Sequence, residues 1–200
     1  MNMGEGYIKF NCQFSEETTG LSDENYHLLN IWRSKLYQLG LIGCYPGNTG
    51  YGNISIRSGK GFIITGSATG CKDTLMKDDY VRVDSYNILN NEIHCTGRIR
   101  ASAESLTHAA VYEASPKTMA VIHIHSLDLW VRYKGLMPTS PETAEYGTPE
   151  IALAVKSLCL GSETGGDKVI IMGGHKEGII SFGNDLESAG NKILKIIFTL

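Results

Sequence analysis

His123 and His125 stand one residue apart at the end of the apolar run Met119-Ala120-Val121-Ile122-His123-Ile124-His125. The run is short and rich in β-branched residues, which predicts a buried strand. Residues two apart on a strand point to one face, so both imidazoles are presented together. Such a pair needs a partner, and a divalent ion suits it, zinc above all. Hydrogen-bonded core histidines would give the same spacing, and the pair alone does not separate the two readings. His175 adds a third imidazole in the turn Gly173-Gly174-His175, between two apolar segments. The glycines allow a sharp bend that exposes the side chain. Three histidines with one open position form a familiar catalytic zinc set. A solvated turn histidine is the alternative.

Glu104 falls in the first turn of a helix predicted from Ser102, where the helix dipole favours a carboxylate. The same carboxylate could move a proton beside a metal. His108, one turn further on, reads as a packed or supporting histidine rather than a fourth ligand. His27 and His94 read as ordinary surface or core residues. Residues 47–53, with Gly47, Gly50 and Gly52, could cradle an anion with backbone N–H groups. No Gly-Lys-Ser/Thr follows, and a strand stands where a dinucleotide fingerprint needs a helix. A second small-residue turn at 65–70, together with Ser102, could join it in one phosphate pocket. Each of these is equally an ordinary turn or cap.

The elements that must hold these groups can be read from pattern. Ser22 caps a helix in which Leu29, Trp32, Leu36 and Leu39 recur at three and four, and Gly40 ends it. Strands are predicted at 53–57 and 61–65, joined by Ser58-Gly59-Lys60, and at 80–84 and 92–95 around Asn90-Asn91. A helix at 102–114 precedes the histidine strand. Residues 134–148, with Pro138 and Pro141, form a loop. Pro149 opens a helix to about Leu160. Strands at 168–172 and 178–182 flank His175, and Asp185 caps a last helix. Residues 1–21 are expected to be weakly structured, apart from a short extended piece at 7–10, and 22–200 to form one domain. This order predicts an α/β fold of three layers, α/β/α, with a central, mainly antiparallel sheet flanked by helices.

Composition narrows the function classes. Among 200 residues, 18 basic and 21 acidic side chains give a net charge of −3, against a nucleic-acid surface or a polybasic membrane anchor. The 42% apolar and 20% charged content is that of a globular chain. The first six residues lack the basic and apolar parts of a signal peptide, and no apolar run is long enough to span a bilayer. The five cysteines are scattered, odd in number and without a C-x-x-C, so five reduced thiols in a cytoplasmic protein are expected.

Six motifs in order carry a resemblance. They are Gly52-Asn53-Ile54-Ser55-Ile56-Arg57; Ile63-Ile64-Thr65 with Thr69-Gly70; Ser102-Ala103-Glu104; Ala120-Val121-Ile122-His123-Ile124-His125-Ser126; Tyr146-Gly147-Thr148-Pro149-Glu150; and Gly174-His175-Lys176-Glu177-Gly178. Over residues 29–189 the chain resembles the class II aldolase/adducin family, a group with sugar-phosphate aldolases and epimerases. The resemblance implies His123, His125 and His175 as zinc ligands, one ion per chain, and Glu104 as the catalytic acid/base. It places Asn53, Thr69, Gly70 and Ser102 around the substrate phosphate. It implies a homotetramer with active sites between subunits, and the apolar residues 196–200 agree with an oligomer. The expected activity is that of a zinc-dependent aldolase-type lyase, cleaving a small phosphorylated ketose through a metal-stabilised enediolate. A sugar-phosphate epimerase or dehydratase using the same zinc, and a non-catalytic adducin-like assembly protein, are the alternatives. The chain departs from the family at Ala103, where a second serine is frequent, and in a longer loop at 65–70. The family's C-terminal tail tyrosine has no counterpart after Tyr146, which leaves Tyr112 or Tyr133 of a neighbouring subunit as substitutes.

Overall fold

The computed structural model describes residues 7–161 and 168–198. Ser22 accepts the Asn25 N–H, Asp23 and Glu24 fill the first turn, and α1 runs Asp23–Gln38. Leu29, Trp32 and Leu36 bury one stripe of it, and Gly40 follows at φ +70°, the left-handed conformation that closes a helix. The strands are β1 (Asn11–Glu16), β2 (Gly43–Cys44), β3 (Gly50–Tyr51), β4 (Asn53–Ser58), β5 (Gly61–Thr65), β6 (Tyr80–Asn87), β7 (Glu92–Gly97), β8 (Ala120–His125), β9 (Val169–Ile171) and β10 (Gly178–Gly183). Eight form one sheet in the order β1-β7-β6-β5-β4-β8-β10-β9, and β2 pairs with β3 in a small ribbon beside it. Every pairing in the large sheet is antiparallel except β1 with β7, so the sheet is mainly antiparallel, as the sequence predicts.

Alternation along the strands makes the layers. Phe62, Ile64, Val121 and Ile180 pack with α2 (Ser105–Ala114) and α4 (Pro149–Gly161) on one face. Ile63, Ile122, Ile124 and Ile179 pack with α1 and α5 (Leu186–Phe198) on the other. His123 and His125 are in phase with Val121, so they face the α2 side.

Several expectations need correction. Residues 1–21 are not uniformly weak: β1 occupies 11–16, beyond the predicted piece at 7–10. Cys12 and Phe14 turn inward to the core while Asn11, Gln13 and Ser15 alternate with them. Helix α2 starts three residues late, because Ser102 to Glu104 form a turn in which the Ser102 carbonyl accepts the Ser105 N–H at 3.0 Å. Helix α3 (Leu127–Tyr133), capped by Ser126, has no predicted counterpart; with Leu129 its buried residue, it leaves no periodic signal. The five thiols are not all reduced, since Cys44 and Cys71 form a disulfide and Cys12, Cys95 and Cys159 are free. Gly70 brings the two together: a Cβ there would strike the Gly43 carbonyl and the Gly50 Cα, so only glycine lets these loops touch. The last helix is described to Phe198, and Thr199 and Leu200 lie outside the described residues.

Candidate active site

Strand β8 sits between two neighbours that leave it room. Asn53 of β4 is in register with His123, and Gly178 of β10 with His125. A Cβ on Gly178 would lie 3.0 Å from His175 Cγ and 3.1 Å from His123 Cε1, so this glycine makes space for the imidazoles. The β9–β10 turn delivers His175; its N–H donates to Met172 O at 3.1 Å, and its carbonyl accepts the Gly178 N–H at 2.9 Å. One nitrogen from each of the three histidines lies within 4.8 Å of the others, and all three are buried.

Hydrogen bonding assigns two of the tautomers. His123 Nδ1 meets Ile179 O at 3.2 Å, and a carbonyl can only accept, so Nδ1 carries the proton. Tyr45 Oη donates to Glu177 Oε2 at 2.6 Å, so it accepts from His125 Nδ1 at 2.9 Å. Both Nε2 atoms therefore carry lone pairs, and they face each other at 3.0 Å. Burial first, then the neighbouring imidazoles, holds the pKa of both rings well below the usual histidine value. Neutral imidazoles with converging lone pairs repel one another unless a cation lies between them. The set fits a divalent ion that prefers nitrogen ligands.

Glu104 precedes α2 and is only 3% exposed. Thr107 Oγ1 donates to its Oε2 at 2.8 Å, while its Oε1 lies 3.6 Å from His175 Nδ1. The carboxylate thus stands at the edge of the imidazole cluster.

The cluster forms one wall of a cleft with ≈ 440 Å³ of empty space. Asn53, Thr69, Gly70 and Ser102 line the same cleft, so the four positions expected around a phosphate come together. Asn53 Oδ1 is buried with no hydrogen-bond partner among the described residues. The Thr69 hydroxyl donates to Gly66 O at 2.8 Å, which fixes the turn that lines the cleft. Ser102 Oγ accepts the Glu104 N–H at 3.4 Å.

Sequence reasoning missed the supports of this cleft. Arg33, almost fully buried, donates from Nη2 to Thr69 O at 3.1 Å and Gly70 O at 2.9 Å, and from Nη1 to Asp73 O at 2.8 Å. Its signal was a cation beside Trp32 within a buried helical stripe. Tyr51 stacks on His125 with centroids 5.3 Å apart, and the Tyr146 ring lies 5.0 Å from that of His175. Tyr146 and Glu177 stand inside motifs quoted above but carry no role there. His108 is packed, as expected: its Nδ1 meets Ser55 Oγ at 2.7 Å, and burial alone holds its pKa down to about 3. Tyr112 and Tyr133 do not suit the role of substitute tail tyrosine. Tyr112 is buried with its hydroxyl on Ser55, and Tyr133 donates to Ile196 O at 3.1 Å within its own chain.

Comparison with known proteins bears on the family and the fold. The family profile described as "Class II Aldolase and Adducin N-terminal domain" matches residues 47–199, well over half the chain. A curated relative, the methylthioribulose-1-phosphate dehydratase of Leptospira interrogans, is 30% identical over 106 residues, which cover 48% of this chain and 42% of that protein. The chain therefore matches less than half the length of that relative. Among solved structures, the l-fuculose-1-phosphate aldolase of Thermus thermophilus superposes with a TM-score of 0.65 at 20% identity, covering 86% of this chain and 88% of that one. The sugar-phosphate aldolase of Thermotoga maritima gives a TM-score of 0.64 at 17% identity, covering 86% and 90%. At these identities the structural likeness is one of fold.

Proposed function

Because the chain belongs to the class II aldolase and adducin N-terminal domain family, we propose that it is a zinc-dependent lyase that cleaves a small phosphorylated ketose by an aldol-type reaction. The observation that carries this reading is the buried cluster of His123, His125 and His175, with Glu104 at its edge, opening into a cleft lined by a small-residue turn. A bound ion there supplies a Lewis acid for negative charge developing on substrate oxygens. The three imidazoles hold it. Glu104 takes up and returns the proton at the carbon next to the carbonyl. Asn53, Ser102 and the turn carrying Thr69 and Gly70 hold the phosphate end, which fixes the carbon that lies beside Glu104.

A second reading is dehydration, and the 30% identity to a methylthioribulose-1-phosphate dehydratase favours it. The same carboxylate would remove a proton, and hydroxide would leave instead of a carbon fragment. Zinc-loaded protein incubated with l-fuculose 1-phosphate and with methylthioribulose 1-phosphate separates the readings. Aldol cleavage yields an aldehyde and a three-carbon ketone phosphate. Dehydration yields one product lighter by a water, and epimerisation an isomer of equal mass. No product from any phosphorylated ketose in a panel would return the chain to the binding-protein reading.

We also propose that the enzyme is a homotetramer with its clefts at subunit boundaries. Exposed Leu127, Val131, Leu136 and Phe198 support an apolar contact surface. A cytoplasmic location, expected from the sequence, sits uneasily with the Cys44–Cys71 bond, because disulfides are rare in reducing compartments.

A further inference from the structure

We propose that Tyr45 and Glu177 act as a positioning pair that fixes the tautomer and orientation of His125, and thereby sets the metal affinity of the three-histidine cluster. The proposal rests on the metal reading above. Tyr45 sits in the tight turn between β2 and β3, where its N–H donates to Thr49 O at 2.9 Å and its carbonyl accepts the Asn48 N–H at 3.2 Å. Glu177 sits in the β9–β10 turn, two residues after His175, with φ at +72°. A glutamate held in the left-handed region is uncommon and is kept in place by its surroundings. Here the Glu177 carbonyl accepts the Ser126 N–H at 3.0 Å, which ties the turn to the end of β8.

The phenol has one proton, and the 2.6 Å contact gives it to the Glu177 carboxylate. Its oxygen is then an acceptor for the His125 Nδ1–H at 2.9 Å. The chain of bonds runs carboxylate, phenol, imidazole, and ends on an Nε2 that must be bare to bind a metal. A histidine ligand ordinarily donates its second nitrogen directly to a carboxylate, carbonyl or water. In this protein the carboxylate acts through a tyrosine brought from a different loop. The Tyr51 ring, 27° from parallel with His125, holds the opposite aspect of the imidazole, and it packs on Tyr45 with centroids 4.6 Å apart. His125 is thus held by edge and by face. Removing the phenolic oxygen removes the acceptor that selects Nδ1–H, and lets the Nε2–H form compete for the ring.

Two measurements on purified full-length protein test the pair. Zinc affinity is read by competition with a chromophoric chelator. The tautomer of His125 is read in metal-free, ¹⁵N-histidine-labelled protein from long-range proton–nitrogen correlations. Tyr45→Phe keeps the ring packing and is expected to weaken zinc binding roughly 10–100-fold, with a mixed His125 tautomer and an unchanged melting temperature. Glu177→Gln still offers an amide oxygen to the phenol and is expected to lose less. If Tyr45→Phe fails to fold, Glu177→Ala carries the test: it takes away the phenol's acceptor, and wild-type zinc affinity with a pure Nδ1–H tautomer there would likewise overturn the proposal. Wild-type affinity and a pure Nδ1–H tautomer in Tyr45→Phe would overturn the proposal while leaving the metal reading intact. A wild-type protein that takes up no zinc overturns both.

Discussion

An imidazole binds a metal through a nitrogen that carries no proton, and the bonds to Ile179 O and Tyr45 leave such a nitrogen on His123 and on His125. Wild-type protein purified without chelator is expected to hold about one zinc per chain. Alanine at 123, 125 or 175 should abolish it by elemental analysis. Gly178→Ala is a subtler probe. Its Cβ would meet both His175 and His123 near 3 Å, so the rings must give way by tenths of an ångström and zinc affinity should drop with the fold retained. Glu104→Gln, in contrast, should keep the zinc and lose roughly 10²–10⁴ in turnover, since an amide accepts hydrogen bonds but shuttles no proton. Near-normal kcat in that variant would move the proton transfer elsewhere. His108 supplies a pH prediction. Burial lowers its pKa from the usual 6.5 to about 3, so below 6.5 the unfolded chain binds the proton more readily. This histidine costs nothing above pH 6.5. Between there and pH 3 it should weaken folding by about tenfold per pH unit, levelling off below. Urea titrations of wild type and His108→Gln at pH 7, 5 and 4 should diverge with that sign.

At the scale of elements, what could be read in the sequence was what is local. The histidine strand announced itself through a short β-branched run, and α1 through a capped stripe with a glycine stop. The period-2 rule alone put His123 and His125 on one face. The supports of the site were not legible, because each joins segments far apart in the chain. Arg33 reaches from α1 to the turn at 69–73, Tyr45 from the β2–β3 turn to β8, and Cys44 to Cys71. Nothing in the spacing of five cysteines tells which loops meet; the close approach of Gly70 to Gly43 and Gly50 does. The cystine encloses the glycine-rich ribbon and the β4–β5 hairpin, with partners 27 residues apart. A loop of that length corresponds to roughly 3–4 kcal/mol in the chain-entropy account of disulfides. Cys44→Ser and Cys71→Ser should each lose about that much in denaturant unfolding, and reductant should bring wild type to the same level. Equal stability of wild type with and without reductant would show that the ribbon and the turn hold each other without the bond. Arg33→Lys tests the same contact from the other side. One ammonium cannot span the carbonyls of Thr69, Gly70 and Asp73 as a guanidinium fork does. The turn carrying Thr69 and Gly70 should loosen and, under the proposed function, raise KM for a phosphorylated substrate more than it lowers kcat.

At the scale of the whole molecule, one face next to the site is apolar. Helix α3 begins at Leu127, two residues after His125, and it shows Leu127 and Val131 to solvent. Leu39 at the end of α1 and Ile197 near the end of α5 line a concavity against that helix. Leu136 and Phe198 are exposed as well. Scattered apolar residues are ordinary on a surface, whereas a cluster around one short helix and its concavity marks a contact region. A closed ring would cover the α3 face and bring side chains of the next subunit to the mouth of the cleft. The expected assembly is therefore a tetramer of the 21.9 kDa chain, measured by light scattering at micromolar concentration. Val131→Asp puts a charge in the middle of that face without touching the core. It should yield a folded monomer or dimer that retains its zinc and turns over substrate more slowly. If wild type runs as a monomer with full activity, or if Val131→Asp assembles and works normally, each chain completes its own site and the α3 face has another use.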